Sequence, residues 1–121
     1  MAIANILLVD DEKDFVEVIA KRLSKKGFYV TKAFSGPEAL RAMRKADFDI
    51  AVIDLKMEEM DGIEVLKILG KMAPELPVII LTGHGSEAAA REGVKCGAME
   101  YLTKPCDFEE LLGKIEKILE R

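Results

Sequence analysis

Short apolar runs that stop abruptly at a polar side chain constrain this chain more than any other feature. Ile6-Leu7-Leu8-Val9 stops at Asp10 and Asp11, Ile50-Ala51-Val52-Ile53 at Asp54, Val78-Ile79-Ile80-Leu81 at Thr82, and the run from Met99 to Thr103 at Lys104-Pro105. Such runs are too short to be convincing helices and have the continuous hydrophobicity of parallel strands covered on both faces. If the strands ending in Asp10, Asp54, Thr82 and Lys104 share one parallel sheet, their carboxyl ends gather these side chains at a single rim. Open α/β sheets place their sites there.

Between the runs the apolar period changes from that of a strand to that of a helix. From Lys13 to Lys26, Phe15, Val18, Ile19 and Leu23 recur at three- and four-residue steps, and Gly27 supplies a helix stop. Tyr29 to Ala33 alternates weakly, as an outer strand does. Ser35-Gly36-Pro37-Glu38 then reads as a helix start, followed by the apolar face Ala39, Leu40 and Met43. Ile63, Leu66 and Leu69 mark a short helix to Gly70. A Ser86-capped helix carries Ala88, Ala89 and Ala90 where bulky residues would sit, so it should anchor weakly. Phe108, Leu111, Leu112, Ile115 and Leu119 give the last helix a strong stripe. Five βα repeats with short connections predict a doubly wound α/β fold, a five-stranded parallel sheet with helices on both faces.

With 121 residues the chain fits one domain, 1–121, with little room for a second. No apolar stretch approaches the roughly 20 residues of a membrane span, so membrane insertion is not expected. The first apolar run ends too soon at two aspartates to be a secretory signal, and a cytoplasmic location is the expectation. A net charge of −4 with acids and bases interspersed leaves no basic stripe, which argues against direct nucleic-acid binding. Cys96 and Cys106 lack metal or redox spacing and are expected to be reduced and structural.

Clustered carboxylates repel one another unless a cation joins them, so Asp10, Asp11 and Asp54 at one rim suit a metal site. Magnesium favours such oxygen ligands while keeping waters and substrate phosphate oxygens, and the chemistry inferred is metal-assisted phosphoryl transfer onto a carboxylate. Taken in order, the acidic pair Asp10-Asp11, Asp54 with Leu55-Lys56-Met57 and Met60-Asp61-Gly62, the end Leu81-Thr82-Gly83, and Tyr101-Leu102-Thr103-Lys104-Pro105 resemble the receiver domains of two-component response regulators. The resemblance covers the whole chain and implies a flavodoxin-like sheet of order 2-1-3-4-5 with five helices.

That resemblance also implies roles. Asp54 would accept a phosphoryl group from a sensor histidine kinase or a histidine phosphotransfer protein. Asp10, Asp11, Asp54 and the main-chain carbonyl of Met57 would hold Mg2+, with Mn2+ as a substitute. Lys104, Thr82 and the Gly83 amide would contact the phosphate, and Lys104-Pro105 resembles the family's cis turn. Thr82 and Tyr101 would act as the switch, relaying the change to a face made by the fourth helix, fifth strand and fifth helix. An output domain, a downstream protein or, on phosphorylation, a second copy of the chain would engage that face. Lys56 and His84 flank the site mouth as candidates for tuning phosphoryl lifetime. Where many family members have proline after the methionine, this chain has Glu58, followed by Glu59. Thr82-Gly83-His84-Gly85 resembles receivers attached to AAA+ transcription activators.

Three rival readings fit these residues less well. A pseudo-receiver would keep the fold and signal by contact alone. A haloacid-dehalogenase-like phosphatase expects an acid two residues past the nucleophile, where Lys56 stands. A flavodoxin-like flavin binder expects a Gly, Ser and Thr-rich first loop, where this chain has Asp10-Asp11-Glu12. The reading adopted is a signalling switch that assists its own phosphorylation and hydrolysis without turning over a separate metabolite.

Overall fold

The computed structural model describes residues 4–55, 62–83 and 87–120. Strands β1 (Asn5–Val9), β2 (Tyr29–Ala33), β3 (Ile50–Asp54), β4 (Val78–Thr82) and β5 (Glu100–Thr103) alternate with helices α1 (Lys13–Lys25), α2 (Gly36–Lys45), α3 (Gly62–Met72), α4 (Glu87–Lys95) and α5 (Phe108–Leu119). The strands form one parallel sheet in the order β2-β1-β3-β4-β5, as expected. Every residue of β3 and β4 is buried, which explains why those runs are continuously apolar. β2 lies at an edge, matching its weaker pattern.

Side chains alternate across the sheet and build two cores. On one face Ile6, Leu8, Val52, Ile79, Leu81 and Leu102 pack against α1 and α5. On the other, Leu7, Val9, Ala51, Ile53 and Ile80 pack with residues of α2 and α3. Local signals start and stop the helices. The Ser35 hydroxyl accepts from the Glu38 amide at 3.2 Å while the Glu38 carboxylate accepts from the Phe34 amide at 3.1 Å, a reciprocal cap on α2. Asp107 caps α5, and Gly27, at φ 100°, turns the chain after α1.

Two details depart from the sequence pattern. Val18 is 55% exposed, whereas Val16, Ile19, Ala20 and Leu23 make the buried face of α1. The apolar period places both valines near the stripe, but it is the arc facing the sheet that is covered. Helix α3 runs past Gly70 to Met72, because an exposed glycine lowers helix propensity without ending a helix whose preceding turns are anchored by Val65, Leu66 and Leu69. Both cysteines are free and half-buried. Burial and then the nearby Glu110 charge push the Cys106 thiol pKa up, which disfavours the reactive thiolate.

Candidate functional site

Register brings the polar run-ends together. Val9 pairs with Ile53, Asp54 with Leu81, and Thr82 with Thr103, so Asp10, Asp54, Thr82 and Lys104 emerge at one rim of the sheet. Asp10, Asp54 and Thr82 are buried polar residues, an arrangement that requires partners. Asp10 accepts from the Glu12 amide at 3.0 Å, which fixes the turn into α1. Thr82 holds β5 in place through its carbonyl, 2.6 Å from the Lys104 amide. Its hydroxyl reaches the Leu102 carbonyl at 3.5 Å, the long limit of a hydrogen bond.

Lys104 is the electrostatic centre. Its ammonium lies 2.5 Å from Asp10 Oδ2, 2.5 Å from Glu12 Oε1 and 3.5 Å from Asp54 Oδ2, and 4.6 Å above the centre of the Phe15 ring. Burial alone would lower its pKa, but hydrogen bonds to Asp10 and Glu12, together with the charges of Asp54 and Asp10, outweigh burial and raise it. Because the folded-state value lies above the unfolded one, this stabilisation is complete below the ordinary lysine pKa and fades only as pH climbs through the raised value. The lysine is therefore charged throughout the neutral range. The Lys104–Pro105 bond is cis.

Carboxylate oxygens of Asp10, Glu12 and Asp54 lie within 4.8 Å of one another. Three carboxylates gathered this closely are an all-oxygen donor set that fits a hard divalent cation. Glu12 belongs to this group and Asp11, half-buried beside it, does not. No sequence signal singled out Glu12, because its partner lies 92 residues away. Met57, Lys56, Glu58, Glu59 and His84 lie outside the described residues. Gly83 continues from the end of β4, and Tyr101 on β5 is 41% exposed.

Gly62 fixes the start of α3 against the end of β3. A Cβ there would stand 2.5 Å from Leu55 Cα and 2.7 Å from the Asp54 carbonyl oxygen, both immovable backbone. Its amide donates to the Leu55 carbonyl at 3.0 Å. The motif glycine is thus required by close approach.

Comparison with known proteins decides the family. The model of the response regulator receiver domain matches residues 6–116. The chain belongs to the response regulator receiver family. It is 39% identical to the transcriptional regulatory protein GlrR of Escherichia coli K12 over 118 residues, covering 98% of this chain and 27% of that one. With the transcriptional regulatory protein ZraR of Salmonella typhimurium it shares 39% identity over 115 residues, covering 95% of this chain and 26% of the relative. The chain thus spans about a quarter of the length of these curated relatives. Among solved structures, the receiver domain of the Francisella response regulator 1452 superposes with a TM-score of 0.90 at 37% identity, covering 98% of each chain. NtrX from Brucella abortus superposes with a TM-score of 0.93 at 34% identity, over 99% of this chain and 27% of that one. This receiver is a signalling domain of the two-component type, and no helix among its described residues is long and apolar enough to cross a membrane.

Proposed function

We propose that residues 1–121 act as one phosphorylation-dependent switch whose phosphoacceptor is Asp54. The observation that carries this reading is a buried Asp54 carboxylate at the sheet rim, beside Asp10 and 3.5 Å from the Lys104 ammonium. A sensor histidine kinase or a histidine phosphotransfer protein is the donor. An oxygen of Asp54 forms the new bond to phosphorus as the phosphorus–nitrogen bond to the donor histidine breaks.

Lys104 offers its charge to the phosphoryl oxygens, and the Thr82 hydroxyl and Gly83 amide donate to the same group. Since charge spreads over the equatorial oxygens in the transition state, positioned donors do most of what the protein contributes. Asp10, Asp11 and Asp54, with the main-chain carbonyl of Met57, would hold Mg2+. When bound, the cation neutralises charge on the acceptor and the transferring group. Lys56 and His84 tune phosphoryl lifetime, and substituting either with alanine is expected to change the dephosphorylation rate.

Phosphorylation adds roughly −1.5 to −2 charge at Asp54. Thr82 turns toward the added oxygens, exchanging its long bond to Leu102, and Tyr101 responds on the adjacent strand. The α4, β5 and α5 face carries the change to an output domain, a downstream protein or a second receiver. Intact mass after incubation with acetyl phosphate tests the reading. One phosphoryl group should be gained with magnesium, and none without it or in Asp54→Asn. A folded wild type that gains nothing from acetyl phosphate or from a kinase would point to signalling by contact alone.

A further inference from the structure

Glu12 stands where a helix begins but does not behave as a cap. It is the N-cap residue of α1, yet its side chain makes no capping hydrogen bond and reaches Lys104 instead. The geometry around that lysine is uneven. Asp10 and Glu12 each approach the ammonium to 2.5 Å, while Asp54 is left at 3.5 Å. Phe15 adds its ring face on the α1 side, 4.6 Å away. Three of the four groups named, among the described residues, therefore belong to β1's end and α1, and they draw the ammonium away from the phosphoacceptor.

Asp10 is fully buried and tied to the turn through the Glu12 amide, so its hold on the lysine is fixed. Glu12 differs, because its side chain is 62% exposed and can let go into water. Building on the assignment of Asp54 as acceptor, we propose that Glu12 is a positioning residue that competes with the phosphoryl oxygens for the Lys104 ammonium. In the unmodified protein the carboxylate keeps the ammonium on the α1 side. Phosphoryl transfer then requires the lysine to leave Glu12 and complete its approach to Asp54. Because an exposed ion pair is screened by water, the hold is weak and its release should alter rates only several-fold.

Two measurements test this. In the metal-free protein, Glu12→Gln should move the side-chain nitrogen resonance of Lys104, whereas Glu116→Gln, which removes an exposed charge elsewhere, should not. No movement in Glu12→Gln would overturn the hold itself, whether or not Asp54 is phosphorylated. With acetyl phosphate and magnesium, Glu12→Gln should be labelled about two- to fivefold faster than wild type. That ratio should fall to one when both proteins also carry Lys104→Met. Equal or slower labelling overturns the proposal, slower labelling with weakened magnesium affinity by calorimetry marking Glu12 as a metal ligand. Faster labelling that survives in the Lys104→Met background also overturns it, since Glu12 would then merely repel the anionic donor. If wild type itself is not labelled, the acceptor assignment fails and the resonance decides the hold separately.

Discussion

Helices α5 and α4 cover opposite faces of the sheet near its β5 edge, and they are seated in contrasting ways. From α5, Phe108, Leu111, Leu112, Ile115 and Ile118 enter the core shared with α1. Each such side chain stabilises the fold by about 1.5–3 kcal/mol when fully buried. The described buried residues of α4 are Ala90 and Gly93, which lie close to the sheet because they have almost nothing to bury. One helix is held by what it inserts and the other by how near it comes. A helix with little buried apolar surface can change position at small cost, and a switch element must be drawn from that class.

The largest test of the contrast is Ile115→Ala. Its side chain is fully buried, so truncation should cost about 2–5 kcal/mol in urea unfolding. A loss below 1 kcal/mol would mean that α5 is no better anchored than α4. Next comes Gly62→Ala, where the atoms nearest the added Cβ are backbone of Asp54 and Leu55. Overpacking of this kind costs about 1–3 kcal/mol, and the displaced strand end should also slow labelling by acetyl phosphate.

The same glycine-to-alanine change should then act with opposite signs on the two helices. At Gly93 a Cβ runs into the Ile80 side-chain tip, which must turn away. The cost of that movement exceeds the alanine's gain in helix propensity, and a net loss of about 1 kcal/mol is expected. At Gly113 on α5 nothing lies within 4 Å of the added atom, so alanine should stabilise by about 1 kcal/mol. Equal signs in thermal unfolding would show that proximity to the sheet does not distinguish the helices.

Much of this contrast is legible in the residues themselves. Apolar runs closed by Asp10, Asp54, Thr82 and Lys104 announce parallel strands with a common rim, and the alanines after Ser86 announce a weakly anchored helix. Strand order is different, since five similar runs can be arranged in many ways and only the family resemblance selected one. Glu12 escaped notice because its meaning depends on Lys104, brought alongside by β5 sitting two strands from β3. The requirement for glycine at position 62 was equally hidden, because local sequence does not say which backbone will press against it.

The smallest expected effect concerns the outer side of α4. Val94 is 42% exposed. A residue that holds its helix cannot be exchanged for a polar one without loss, whereas a residue facing water can. Val94→Ser should therefore leave the free energy of unfolding within about 0.5 kcal/mol of wild type. Leu111→Ser, one helix away and fully buried, should be severely destabilised by comparison, because it both opens a cavity and buries a hydroxyl. If Val94→Ser instead lost more than 1 kcal/mol, α4 would be anchored through its outer face. The proximity of Ala90 and Gly93 would then not be the main restraint on the helix, and any displacement of α4 would have to break a second contact.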